Sequence, residues 1–183
     1  GGQTWHKLGM EGESDFHLLA TGYETNAVYV VNPHPNSKMK EEGIYHTVND
    51  GFSWTRAQAS GLQGGPASLA AHPSEAKTVA VGTDQGLYLS QDGGDTFQQI
   101  GAGQIVGISF DLNGKQLWFS RVDGEPGLRR LALDSKQVTK VDVPPMPKDA
   151  VAYIAQNPVK RNEYAIATYQ RSVYLSQDDG KTW

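Results

Sequence analysis

An all-β fold, a β-propeller of about four four-stranded antiparallel blades, is predicted by three features of this chain. They are a recurring polar box, a constant spacing between its copies, and a repeated succession of short strands. The box reads Ser or Thr, any residue, Asp or Asn, any residue, Gly, any residue, Ser or Thr, then an aromatic. It is filled by Thr47, Asn49, Gly51, Ser53 and Trp54, by Ser90, Asp92, Gly94, Thr96 and Phe97, and by Ser176, Asp178, Gly180, Thr182 and Trp183. The first residues of these copies stand 43 and then 86 apart, so one copy is skipped. The skipped position falls at Leu133, where Asp134, Ser135 and Lys136 have lost the pattern, and Gly2 to Trp5 form the second half of a further copy.

Each unit holds the same series of short runs rich in β-branched and aromatic residues, punctuated by Gly, Pro, Asn and Asp. In the second unit the expected strands are 68–72, 78–83, 86–90 and 96–100. Innermost strands elsewhere are expected at 16–20, 105–110 and 151–156, second strands at 27–31, 116–120 and 163–168, and third strands at 44–47, 128–133 and 173–176. No useful window places apolar residues at helical spacing. The blades therefore run approximately 9–57, 58–100, 101–143 and 144–183. A strand at 4–8 either completes the last blade and closes a four-bladed ring, or the chain is a segment of a larger propeller of six to eight blades. In the second case, contacts to further blades or to another chain are expected.

The box explains itself physically. A hydroxyl and a side-chain carbonyl or carboxylate oxygen accept hydrogen bonds from backbone N–H groups within a tight turn, and the Gly supplies a positive φ. The aromatic begins the fourth strand and anchors the turn, burying about 150–250 Å². These residues are read as structural. An Asp-rich turn also evokes calcium, but no box carries the bidentate Glu of an EF-hand loop, so no metal and no cofactor is expected.

Composition narrows the function classes. The chain has 183 residues, 38% of them hydrophobic, which suffices for a core. Its net charge of −4 argues against binding nucleic acid or an anionic membrane. Apolar runs such as 27–31 fall far short of the roughly 20 residues that span a bilayer. With no Cys there are no disulfides, thiolate metal sites or Cys nucleophiles. Gly1 to Trp5 show neither an initiator Met nor a basic-then-apolar leader, so any targeting segment is expected outside them.

The box looks like the Asp-box, or BNR, repeat found in sialidases, oligoxyloglucan-type glycoside hydrolases, sortilin-type receptor ectodomains and a photosystem II assembly factor, and the resemblance covers nearly the whole chain. His72-Pro73, together with the run from Val81 to Ser90, is similar to the xyloglucanase and sortilin branch. The stretch from Glu13 to Tyr23 resembles exported bacterial proteins called glycosyl hydrolases by similarity. The resemblance implies export to the cell exterior or envelope and a glycan or protein partner. A shared fold leaves the activity to be argued from the site.

In an up-and-down meander, turns after the first and third strands share one side of the disc, which puts all boxes together and leaves the opposite face for function. That face is expected to hold Asp15, His17, His34, Asp84, Arg121, Asp123, Glu125, Tyr169 and Arg171. Alternation would point Asp15 and His17 toward the channel, as a general-base or ligand-gripping pair or as a strand-start hydrogen-bond network, with Phe16 between blades. His34 lies in the insertion 32–43, which reads either as a binding loop or as a disordered one, and His34 itself as a ligand or base or as a solvated loop residue. His72, on the box side, is read as satisfying backbone groups, and both Trp118 and Phe119 as core. Tyr23, Trp5 and Tyr169 are freer rings, and Tyr169 beside Arg171 is the best placed to stack on a sugar.

Sialidase chemistry, which the resemblance raises, needs three substrate-gripping arginines, and only Arg121 and Arg171 of the six arginines fall on the right face. A two-carboxylate glycosidase would draw on Asp15, Asp84, Asp123 and Glu125, and the candidate catalytic residues are Asp15, His17, Asp123 and Glu125. The leading reading is a protein- or glycan-binding scaffold acting through Tyr169, Arg171, Arg121, His34 and Asp84. The alternative is a glycoside hydrolase acting on a polysaccharide through paired carboxylates on that face.

Overall fold

The computed structural model describes residues 2–5 and 10–183. Among these residues fifteen strands make up the regular structure. The first sheet is β1 (Leu19–Thr21), β2 (Val28–Asn32), β3 (Gly43–Thr47) and β4 (Thr55–Arg56). The second is β5 (Pro66–Ala71), β6 (Val79–Thr83), β7 (Gly86–Ser90) and β8 (Gln98–Ala102). The third is β9 (Ile105–Phe110), β10 (Gln116–Arg121), β11 (Gly127–Ala132) and β12 (Val138–Lys140), and the last is β13 (Val151–Gln156), β14 (Tyr164–Thr168) and β15 (Val173–Ser176). Within every sheet the strands follow chain order and pair antiparallel. Among the described residues the chain is thus an all-β propeller arc, with four strands in each of the first three blades and three in the last. No helix among the described residues is long and apolar enough to cross a membrane.

The blades stack face to face because each strand alternates its side chains between two neighbours. Tyr29, Ile44 and Ala57 of the first blade meet Val79, Val81, Tyr88 and Phe97 of the second. Ala80, Leu87 and Leu89 of the second meet Ile105, Leu117, Phe119 and Leu131 of the third. Trp118, Leu128 and Val141 then meet Val151, Tyr164 and Ile166. Trp118 and Phe119 are both buried, one toward each neighbouring blade.

All three boxes lie after a third strand, and their internal bonding repeats. The first hydroxyl donates to the Asp or Asn oxygen at 2.8 Å in each copy. The amides of Gly51, Gly94 and Gly180 donate back to that hydroxyl. The amides of Ser53, Thr96 and Thr182 donate to the same Asp or Asn oxygen. Hydroxyl and amide donation from Thr96 and Thr182 holds the carboxyls of Asp92 and Asp178 down at about 2. At the skipped position the β11–β12 turn is a plain tight hairpin, in which the Lys136 amide donates to the Ala132 carbonyl.

Each box after the first also docks on the blade before it. The fourth box position packs on the third strand of that blade: Gly93 lies against the His46 ring, and Asp179 accepts from Arg130 through its carboxylate and its carbonyl. Both docking residues rest on a second-strand ring, His46 stacked on Tyr29 at 5.4 Å and Arg130 over Trp118 at 4.4 Å. The box aromatic closes the contact, with Trp183 edge-on to Trp118.

Two boundary expectations need correction. The fourth strands begin one residue after the box aromatic, because the Phe97 amide donates to Ser60 in the preceding linker instead of joining the ladder. The first strand starts at Leu19, three residues beyond the expected Phe16, whose ring is occupied against the cluster of Val30, Met39 and Tyr45. The expected strand 4–8 falls in part on residues 6–8, outside the described residues.

Candidate functional site

The face opposite the boxes carries two connected concavities. One is the central channel, about 220 Å³, lined by His17, Leu19, Ala67, Val106, Ala152 and Tyr169. Its wall has a structural cause: β5, β9 and β13 each begin with a register shift, at Pro66/Ser68, opposite Ser120/Arg121, and at Val151/Tyr153. The extra residues Ala67, Val106 and Ala152 are therefore thrown out of the ladder and into the channel.

The larger concavity is a cleft of about 710 Å³ between the third and fourth blades. It exists because blades differ in how they are joined. Only Gly103 and Gln104 separate β8 from β9, whereas residues 141–150 separate β12 from β13. Pro144, Pro145 and Pro147 in that linker lack backbone donors and hold it away from any ladder. Buried Leu128, Val141 and Val151 form an apolar floor, and Arg121, Lys140, Asp142, Lys148, Asp149 and Tyr169 supply polar groups around it.

Arg121 is held in place. Its Nε lies 2.8 Å from Asp123 Oδ1, which also accepts from the Gln104 amide at 2.9 Å. The Arg121 hydrogen bond leads in keeping the Asp123 carboxyl below the usual range. Gly103 passes beneath this pair at φ +97°, where a Cβ would sit 2.3 Å from Arg121 Nε, so only glycine fits. Burial pushes the Asp149 carboxyl upward, but donation from Thr168 and from the amides of Ala150, Gln170 and Tyr169 outweighs it and holds the group low. The Tyr169 ring is exposed and its hydroxyl reaches toward the Val106 carbonyl, so the ring lies between cleft and channel.

The remaining expected site residues are dispersed. Asp15 and His17 pair at 3.2 Å, both well exposed and ahead of the first strand, with His17 at the channel. Glu125 pairs with Arg129 across one turn. Asp84 accepts from the Gly65 amide and so ties two loops of the second blade together. Arg171 sits exposed at φ 69° in the β14–β15 turn. His34 faces Glu42 at 3.7 Å. Its insertion is tied down: Glu13 accepts from the Ser37 amide and hydroxyl, Asn36 accepts from the Lys38 and Met39 amides, and Met39 is fully buried.

Sequence reasoning brought Arg121, Asp123 and Tyr169 to one region but missed Lys140, Asp142, Met146, Lys148 and Asp149. The proline run was the available signal, since it marks a linker that cannot pair. His72 does satisfy backbone groups, its ring nitrogens meeting the Gly114 carbonyl and the Ser74 and Glu75 amides. Among the described residues no three His, Cys, Asp or Glu side chains gather into a set that could hold a metal.

A glycosidase acid must be protonated near neutral pH, and Asp123 and Asp149 are both driven the other way. An exposed ring, a braced guanidinium and two lysines over an apolar floor suit recognition of a polar chain.

Comparison with known proteins agrees on the fold. No family model matches the chain. A xyloglucanase of Hypocrea jecorina (strain QM6a) is 32% identical over 83 residues, 45% of this chain and 9% of that protein. The crystal structure of an ancestral GH74 enzyme superposes with a TM-score of 0.64 at 19% identity, over 93% of this chain and 24% of the other. A chain of a nidogen/laminin complex gives 0.65 at 13% identity, over 84% and 57%. The chain therefore spans a small part of the xyloglucanase and about a quarter of the GH74 enzyme, and what it shares with these structures is the propeller architecture.

Proposed function

We propose that this chain is part of an exported Asp-box propeller that binds a glycan in the cleft between its third and fourth blades, without cleaving it. The observation that carries the reading is the cleft itself. A 710 Å³ depression on the box-free face presents Tyr169, Arg121 and Lys148 above an apolar floor, while Asp123 and Asp149 stay ionised. Sugar rings stack on exposed aromatics and their hydroxyls pair with cationic and carboxylate groups. The similarity to a xyloglucanase makes a β-linked plant polysaccharide the first ligand to try. In this reading the blades divide near residues 57, 100 and 143 and belong to a propeller of more than four blades.

Two other readings have observations behind them. Hydrolysis is favoured by the xyloglucanase similarity, and would employ Asp142 with a second acid. A protein partner is favoured by the nidogen/laminin likeness. A glycan array followed by a reducing-end assay separates them. Glycan retention that falls at least about ten-fold in Tyr169→Ala, with no reducing ends released, supports the proposal. Release of reducing ends establishes hydrolysis, and retention unaffected by Tyr169→Ala and Arg121→Ala moves the site elsewhere.

A further inference from the structure

The outward face of the fourth blade is an apolar sheet surface. Tyr153 is 75% exposed, Val173 66% and Leu175 68%. They stand in two cross-strand rows, Tyr153 with Ala167 and Val173, and Ala155 with Ala165 and Leu175. The corresponding face of each earlier blade is covered by the blade that follows it.

Those three covered faces come in two kinds. Where the following blade carries a box, the face offers a docking platform, His46 on Tyr29 or Arg130 on Trp118. The platform receives box backbone at positive φ, Gly93 lying directly against the His46 ring and Asp179 bringing a carbonyl oxygen to which Arg130 donates. Where the following blade is the boxless third one, the face offers aliphatic groups at the same two positions, Leu89 opposite Ala80, with Leu87, Gly82 and Ser68 in the neighbouring row. The fourth blade has Leu175 opposite Ala165 and Val173 opposite Ala167. At the two positions that Tyr29 and His46 hold in the first blade this is the aliphatic kind, with neither a ring nor a donor there for a turn to rest on.

We propose that this face receives a further blade of the same repeat, and specifically a blade without a box, which packs on Ala165 and Leu175 as the third blade packs on Ala80 and Leu89. The surface is separate from the cleft, so its test fails or succeeds independently of glycan binding.

Phe97 and Trp183 hold the same box position, so residues 98–143 joined after Trp183 supply a fourth strand for the last blade and then a boxless blade. Residues 55–102 joined likewise supply a boxed one. The chain contains no Cys, so Val173→Cys is a unique label site for maleimide in every version. The boxless fusion is expected to slow labelling about ten-fold or more relative to the 183-residue chain, and the boxed fusion to leave it unchanged. Adding Ala165→Tyr and Leu175→His to the boxed fusion rebuilds a platform and is expected to slow its labelling. Equal labelling of the two parent fusions, or aggregation of the boxless fusion alone, overturns the proposal. So does a 183-residue chain that sediments as a dimer and is made monomeric by Leu175→Asp, because the occupant is then a second copy.

Discussion

Replacing Gly180 by Ala tests whether a box is fastened to the blade before it, and Gly51 provides the control. Both glycines hold the fifth box position at nearly the same φ, +76° and +78°. An Ala in that region costs about 1–2 kcal/mol in backbone strain alone. At Gly51 the new Cβ would meet nothing closer than Trp54 of its own box at 3.6 Å, an ordinary contact. At Gly180 it would stand 2.7 Å from Trp118 Cη2, a fully buried ring held between Tyr164 and Arg130. Trp118 cannot retreat, so an overpacking cost of about 1–3 kcal/mol adds to the strain. Gly180→Ala is therefore expected to exceed Gly51→Ala by about 1–3 kcal/mol. At roughly 2–4 °C per kcal/mol for a chain of this size, this difference is measurable by thermal melting followed by near-ultraviolet circular dichroism. Equal losses in the two variants would refute the docking of the box on the third blade.

Two further outcomes follow from the ionisable groups. Burial holds His46 below its ordinary 6.5, so the unfolded chain takes up a proton first. Its contribution is complete above pH 6.5 and is lost as pH falls through the lowered folded value; urea midpoints between pH 7 and 5 should drop for the native chain and drop less for His46→Gln. Asp92 and Asp178 are lowered from 3.8 to about 2, so the stability they lend is present above pH 3.8 and disappears as pH falls through about 2. Carboxyl chemical shifts should titrate at about 2 in the folded chain, and values near 3.8 would mean that the box hydrogen bonds do not form.

How much of this was legible beforehand depended on whether a feature was local. Strands β7, β9, β13 and β15 occupy the expected residues, because turn residues bracket them closely in sequence. The box hydrogen bonds were equally readable, since every partner lies within four positions. The face carrying Arg121 and Tyr169 followed from strand parity alone. The cleft did not, because its depth comes from residues 141–150 standing off the sheets, and linkers without periodicity carry no signal of where they run. The platforms were hidden for a different reason: the match of Trp118 and Arg130 to Asp179 joins residues far apart in the chain, and no local pattern announces it.

The box side is architectural, and the proposed glycan site lies on the opposite side. Amide chemical-shift mapping with the glycan that the array retains most tightly tests this directly. Shifts confined to Arg121, Lys140, Lys148, Tyr169 and their neighbours are predicted, with the amides of Gly94, Thr96, Gly180 and Thr182 unmoved. Shifts centred on those four box amides, with the cleft silent, would contradict it.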